Sequence, residues 1–293
     1  PTARYLRSGR AKAIGVVVPE EFTIAEAIGN PFFRMLLTGV AEVCDAAGVN
    51  LVLLAGSGIT IGDAMVDGFI LTRSEYVGAL NPGRLRHLPF VLMDADTTDG
   101  SVVAVDARSA CRQAVEHLVA LGHRRFGIVS FMRDRTSAAV LHPPGKARAA
   151  GIAGLTLDRE KLRGYADALS AAGLDIDDVP VVQAHPADRT AAALILDAAP
   201  DATAIVTMAD MQAIAVIEEA RRRGLSVPRD LSVVGFNDIP EAALVTPGLT
   251  TVDARGVERG RVAARMLLEP EARRRVVFPA ALVVRESTAI APG

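Results

Sequence analysis

Polar residues follow five short apolar runs of this chain, at the points where the runs end. They are Thr72, Asp94, Ser130, Asp210 and Asn237 with Asp238. Hydroxyl, carboxylate and amide groups of this kind hold a small polar molecule by hydrogen bonds and fix its orientation. A carboxylate after a strand can instead cap the following helix, and for Asp210 both roles stay open. For Asp94 and Asn237 the pattern favours ligand binding.

Motifs for catalysis are incomplete in this sequence. Gly56, Gly58 and Gly62 have nearly the glycine spacing of a dinucleotide-binding turn. That turn needs a helix whose N-terminus faces the pyrophosphate, and only residues 63–66 remain before the next apolar run. No nucleophile, base and orienting group can be assembled from local motifs. We therefore predict that the chain is not an enzyme and needs no cofactor.

The histidines do not have the spacing of a metal site. His117 and His123 are six residues apart, unlike the i, i+4 pair that places two imidazoles on one helical face. His123 ends a predicted helix, where its ring can satisfy carbonyl groups. His185 follows a predicted strand, and we expect a solvated loop histidine there, with a place at the edge of a binding site as the alternative. We predict no bound metal.

The apolar runs that carry these polar residues alternate with helical patterns. The predicted strands cover residues 13–18, 50–54, 68–71, 89–93, 102–105, 125–129, 180–182, 203–206 and 231–234. The predicted helices cover residues 32–48, 107–121, 162–172 and 211–223. Strands that alternate with helices form parallel sheets, and such sheets bind ligands beyond the carboxyl ends of their strands. We therefore expect the polar residues to line one site.

Length and charge restrict the class of protein further. The 293 residues are enough for about two domains, and a net charge of −2 gives this chain no overall attraction to nucleic acid. No apolar run approaches the ~20 residues that span a bilayer, so we predict no membrane partner. Cys44 and Cys111 form no CxxC pattern, which fits a reducing compartment. We predict a cytoplasmic protein.

Several separate stretches, all in one order from Gly9 to Arg285, resemble the ligand-binding core of lactose-repressor (LacI/GalR) family transcriptional regulators. The most specific of them is residues 227–240, VPRDLSVVGFNDIP, followed by LTTV at residues 249–252. Others are residues 6–10 leading into 14–19, 30–33, 66–70, 88–91, 117–118, 121–125, and 164–165 with 168–169.

This resemblance implies an α/β fold of two doubly wound parallel-sheet (Rossmann-like) lobes joined by three crossovers, the type I periplasmic-binding-protein-like arrangement. Residues 1–12 would be the end of a hinge segment. Residues 13–105 with 253–278 would form the N-terminal lobe, and residues 106–252 with 279–293 the C-terminal lobe.

The resemblance also implies a regulator that binds a small effector, a sugar or similar polar metabolite, between its lobes. Effector binding would control operator DNA binding through an upstream helix-turn-helix domain that is not in this chain. The resemblance further implies a homodimer. We expect residues 69–79 and the helices near Phe33 and at 255–268 to form the dimer interface.

By the same resemblance, eight positions would contact the effector: Asn30, Phe32, Phe33, Thr72, Asp94, Lys161, Asp210 and Asn237. Lys161 stands where arginine is usual, and a lysine keeps the charge but loses the planar fork of donors. Asn237 stands where aspartate is common, and Ala209 where asparagine is common. We expect Asp94→Ala to remove ligand binding and to leave the fold intact.

Two further interpretations stay open at this point. A periplasmic sugar-binding receptor of a transporter has the same two-lobe architecture, although the hinge-like start and residues 249–252 favour the regulator. The long segment 131–158 contains Arg133, Arg135, Lys146 and Arg148. We interpret this segment as a flexible surface loop, with a lid over an anionic ligand as the alternative.

Overall fold

The computed structural model describes residues 11–20, 22–56, 64–72, 88–97, 100–131, 139–142, 156–269 and 274–293. The described residues of Pro1–Val105 and Arg255–Phe278 form one compact unit, unit 1. Those of Asp106–Ala254 and Pro279–Gly293 form a second, unit 2. The chain therefore passes three times from one unit to the other.

The predicted α/β class with parallel sheets is confirmed. The strands are β1 Ala13–Val17, β2 Asn50–Leu54, β3 Gly68–Leu71, β4 Phe90–Met93, β5 Ser101–Val105, β6 Phe126–Phe131, β7 Val140–His142, β8 Val181–Ala184, β9 Ala204–Thr207, β10 Ser232–Val234, β11 Thr251–Asp253, β12 Arg275–Phe278 and β13 Ala281–Val283. The helices are α1 Ile24–Gly29, α2 Pro31–Ala47, α3 Ala107–Ala120, α4 Thr156–Ala171, α5 Thr190–Ala198, α6 Asp210–Arg222, α7 Pro240–Leu244 and α8 Gly256–Leu268.

Unit 1 is built on a six-stranded parallel sheet in the order β12-β5-β4-β3-β1-β2. Every residue of β1 and β3 is buried, as expected for strands covered on both faces. Helices α2 and α8 pack on one face, and their backbones approach closely at two glycines. A Cβ on Gly39 would collide with the Val257 carbonyl oxygen, and one on Gly260 with the Leu36 carbonyl oxygen. Only glycine therefore fits this helix crossing.

Unit 2 is built on a five-stranded sheet in the order β10-β9-β6-β8-β7, with β7 antiparallel and the other strands parallel. Helices α3 and α4 meet at Gly164, where a Cβ would collide with the Arg108 carbonyl oxygen. The next residue, Tyr165, donates a hydrogen bond to the Thr207 carbonyl oxygen at 3.1 Å and so ties α4 to the end of β9. A ribbon of β11 and β13 completes the unit.

The two cysteines are structural. Cys44 lies in the core of unit 1 and Cys111 in that of unit 2, and neither forms a disulfide. Burial raises the pKa of the Cys111 thiol to about 12, so it is protonated and unreactive at neutral pH. Within the described ranges, no helix is long and apolar enough to span a bilayer, and no three His, Cys, Asp or Glu residues are grouped to hold a metal ion.

Candidate functional site

The carboxyl ends of β6, β8, β9 and β10 lie at one end of the unit 2 sheet, because these strands are parallel. Chain segments that leave the strands there, together with helix α4, place mostly buried polar and aromatic side chains near these ends. We call this group the strand-end cluster, and its members are Ser130, Phe131, Lys161, His185, Asp210, Gln212, Phe236 and Asn237.

Lys161 extends from α4 into the strand-end cluster and is 1% exposed. Its Nζ donates a hydrogen bond to the Met208 carbonyl oxygen at 2.9 Å. The same atom lies 3.9 Å from the centroid of the Phe236 ring and 4.8 Å from that of Phe131. A carbonyl dipole and two aromatic faces stabilise an ammonium group away from water. The ammonium group of Lys161 is thus stabilised by groups inside unit 2. Its contact with an effector stays a prediction.

Asp210 is fully buried at the start of α6, but its side chain does not cap that helix. One carboxylate oxygen accepts a hydrogen bond from the Ile239 backbone N–H at 2.9 Å, and the other accepts one from the Thr251 hydroxyl. Asn237 and Asp238, in the turn before Ile239, have φ values of 121° and 53°, which are rare for residues other than glycine. Asp210 therefore holds a strained turn in place.

Burial raises the pKa of Asp210 from 3.8 to about 6, because the ionised carboxylate loses hydration there. The hydrogen bonds from Thr251 and Ile239 act in the opposite direction.

A raised folded-state pKa means that protonation stabilises the fold. The stability from this group is complete below pH 3.8 and is lost as the pH rises through about 6. Relative to Asp210→Asn, we expect the wild-type free energy of unfolding to fall by about 3 kcal/mol over that interval, at about 1.4 kcal/mol per pKa unit. Urea denaturation of both proteins across this pH range tests the expectation. A pH-independent difference between them would contradict it.

Asn237 follows β10 in the strained turn that Asp210 holds. Its backbone N–H donates a hydrogen bond to the Val252 carbonyl oxygen at 2.8 Å, which ties the turn to β11. Its side-chain amide makes no hydrogen bond to any residue in the described ranges. The amide therefore has both a donor and an acceptor for a polar molecule at this end of the sheet.

In unit 1, three of the residues predicted to contact the effector come after β1, and their side chains differ in burial. The Asn30 side chain accepts a hydrogen bond from the Phe33 N–H at 3.1 Å and so caps α2. Phe33 is part of the hydrophobic core. Phe32 is only partly buried, and its stacking on a ligand stays a prediction. Thr72 follows β3, and its hydroxyl donates to the Val17 carbonyl oxygen at 2.8 Å.

Asp94 follows β4 with a positive φ of 53°, and both of its carboxylate oxygens are occupied. One accepts a hydrogen bond from the Val105 N–H at 3.1 Å, and the other forms an ion pair with Arg259. The Arg259 side chain is 2% exposed, and its guanidinium lies 5.9 Å from the centroid of the Phe32 ring. Asp94 is therefore the counter-ion of a buried arginine.

Sequence reasoning did not identify Arg259. A signal was available, because Arg259 lies three residues after Gly256 and four before Ala263, on the same face of α8. Gly256 and Ala263 are buried in unit 1. An arginine on a buried helical face requires an acidic partner, and Asp94 is that partner.

Two of the three histidines considered above have structural partners. The His123 ring contacts the Thr203 hydroxyl at 2.9 Å and the Ala289 carbonyl oxygen at 3.0 Å, and that of His117 contacts the Thr288 hydroxyl at 3.0 Å.

The prediction of a solvated His185 is wrong. This side chain is 7% exposed, and its Nδ1 accepts a hydrogen bond from the Ala187 N–H at 3.3 Å. The close turn after β8 folds the ring back onto its own backbone.

Some predicted features lie outside the described residues. They are residues 1–10 of the proposed hinge segment, Gly58, Gly62, most of the proposed interface at 69–79, and the four basic residues of the long segment, Arg133, Arg135, Lys146 and Arg148.

Comparison with known proteins assigns the family. Residues 115–288 match the model of the periplasmic binding protein-like domain. The chain is 32% identical over 285 residues to the HTH-type transcriptional regulator Rv3575c of Mycobacterium tuberculosis, with 92% of this chain and 77% of that protein covered. It is 30% identical to the HTH-type transcriptional regulator MalR of Streptomyces coelicolor, with 98% and 84% covered. This chain belongs to the LacI family of transcriptional regulators.

Two solved structures of transcriptional regulators have the same fold as this regulator. A complex of the transcriptional regulator CelR with cellobiose aligns with a TM-score of 0.77 at 25% identity, over 98% of this chain and 89% of that one. A ribose-bound LacI family regulator from Enterococcus faecium aligns with a TM-score of 0.78 at 22% identity, over 96% and 100% of the two chains. Both were solved with a sugar bound.

Proposed function

We propose that this chain is the effector-binding and dimerisation core of a LacI-type transcriptional regulator. It binds a small polar metabolite, a carbohydrate or a related molecule, at the carboxyl ends of its strands. Binding changes the affinity for operator DNA of a helix-turn-helix domain upstream of this core, and the protein acts as a homodimer in the cytoplasm. Effector and operator affinities are then linked reciprocally.

The observation that carries this proposal is the strand-end cluster in a chain whose relatives are transcriptional regulators. The Asn237 side-chain amide, which has no hydrogen bond to a described residue and lies at the carboxyl end of the unit 2 sheet, supports ligand binding there. Phe32, Thr72 and Asp94 lie at the carboxyl ends of the unit 1 strands or in the helix that follows them. They complete the proposed set with Asn30, Phe33, Lys161 and Asp210. The relatives favour a regulator over a transporter receptor.

Neutral sugars test the effector class directly. A ligand at about 100 times its Kd stabilises the folded state by about 2.7 kcal/mol, which raises the Tm measurably. We expect at least one of D-ribose, D-glucose, cellobiose and maltose to raise the Tm of the wild-type chain.

Asn237→Gly should abolish that rise, since it removes the amide and keeps a residue that tolerates the positive φ at this position. The matched variant Asn50→Gly, at the exposed start of β2, should keep it. An unchanged rise in Asn237→Gly would remove Asn237 from the site.

The regulator and the receptor differ in their response to DNA. With the full-length protein, the same sugar should change operator affinity in an electrophoretic mobility assay. A full-length protein that binds the sugar but no DNA would favour the receptor.

A further inference from the structure

Gln212 carries a buried polar atom that no group of the described residues satisfies. It lies in the first turn of α6, within the strand-end cluster, and is 3% exposed. Its Nε2 donates a hydrogen bond to the Ser130 carbonyl oxygen at 3.2 Å. Its Oε1 is buried and accepts no hydrogen bond from the described part of the chain. Buried acceptors without a partner are rare in folded proteins, because such an atom loses its hydration without replacement.

The hydrogen bond to Ser130 fixes the orientation of the amide. Rotation of the amide by 180° would place Oε1 against the Ser130 carbonyl oxygen, two acceptors with no proton between them. Ser130 is the residue before the last one of β6, so the amide lies at the carboxyl end of that strand. This is the end of the sheet at which Asn237 and the partly exposed ring of Phe131 also lie.

The charged groups around Gln212 already have partners inside unit 2. Lys161 donates to the Met208 carbonyl oxygen, and the Asp210 carboxylate accepts from Ile239 and Thr251. Among the described residues of the strand-end cluster, the Gln212 acceptor and the Asn237 amide have no hydrogen-bond partner in unit 2, and the Phe131 ring is partly exposed. Hydroxyl groups on a ring with apolar C–H faces satisfy all three without bringing a charge into a buried place.

We propose that Gln212 determines effector specificity, with Oε1 accepting a hydrogen bond from one hydroxyl group of an uncharged polyhydroxylated ligand. This inference rests on the proposed function and adds to it the residue that selects for that hydroxyl group. Ligand binding supplies a hydrogen bond that no described residue gives to Oε1, so the acceptor discriminates against a ligand without the hydroxyl group.

Isothermal titration of the wild-type chain and of Gln212→Met tests the proposal. The probes are D-ribose, D-glucose, cellobiose and maltose, followed by each monodeoxy analogue of the sugar that binds. Methionine keeps the length of the side chain and removes the acceptor. We expect Gln212→Met to bind that sugar about tenfold more weakly, the effect of one lost hydrogen bond. The matched variant Gln113→Met, whose amide contacts Ser109 within α3, should bind like the wild type.

The deoxy analogues identify the hydroxyl group and do not depend on the folding of a variant. One monodeoxy analogue should bind the wild type about tenfold more weakly and should lose nothing further in Gln212→Met. A purely structural role would lower the Tm of Gln212→Met and leave this selectivity unchanged. Equal affinities of wild type and Gln212→Met for the sugar, or a wild type that tolerates every deoxy analogue, would overturn the inference and leave the proposed function standing. If none of the four sugars binds the wild type, the proposed effector class fails and the inference fails with it.

Discussion

Replacing Asp94 with alanine should lower the free energy of unfolding of unit 1 by about 3–5 kcal/mol, because it removes an acidic partner of the buried guanidinium of Arg259. The change also removes the acceptor for the Val105 N–H at the end of β5. This revises our expectation from sequence, in which Asp94→Ala affects only ligand binding. Urea denaturation, with the signal of unit 1 followed by hydrogen exchange of its strands, measures the loss.

Two controls separate the loss of a buried ion pair from a simple loss of contacts. The double variant Asp94→Ala with Arg259→Met removes both charges and should recover much of the lost stability, since an apolar pair of similar volume often replaces a buried ion pair without cost. Glu42→Ala breaks the exposed ion pair with Arg261 on α8 and should change stability little. If the double variant were less stable than Asp94→Ala, the charge argument would be wrong.

Gly39→Ala should destabilise unit 1 by about 1–3 kcal/mol, because the new methyl group meets a backbone carbonyl that cannot move without shifting a helix. The obstructing atom is the Val257 carbonyl oxygen of α8, and the Arg261 backbone nitrogen lies 2.9 Å from the same Cβ position. Gly29→Ala is the matched control, since a Cβ there meets nothing within 4 Å at the exposed end of α1. That change should be neutral or slightly stabilising. Thermal unfolding of the two variants gives the comparison, and equal Tm values would count against a tight helix crossing.

Most parallel strands of this regulator and the helices α2, α3, α4 and α6 were predictable because both kinds of element leave periodic patterns, whereas β12 and α5 were not predicted. A strand buried on both faces is a continuous apolar run, as in β1 and β3, and the stripe of α2 ends at Gly48 in a left-handed conformation with φ of 63°. Strand β7 was not predicted, since two of its three residues are exposed and it pairs antiparallel at the sheet edge. The ribbon of β11 and β13 joins segments far apart in sequence, which no local pattern reveals.

The candidate site was predictable only in part, because its side chains have partners from distant parts of the chain. Sequence indicates which residues follow strands, and it placed Asn237 and Asp94 correctly at strand ends. It does not indicate which carboxylates already have partners, because Arg259 and Thr251 come from elements far along the chain from Asp94 and Asp210. Gln212 stands out only because its Oε1 has no hydrogen bond to a described residue. The sequence cannot show that a hydrogen bond is absent.

The three passages of the chain between the units affect how this protein is made. The ribosome completes β5 and then synthesises all of Asp106–Ala254 before α8 and β12 exist. At roughly 5–20 residues per second, this delay is on the order of ten seconds. Until α8 emerges, the core face of α2 has no helix to cover it, and β5 has an unpaired edge. During synthesis, the first part of unit 1 is therefore the segment most exposed to aggregation and most in need of a chaperone.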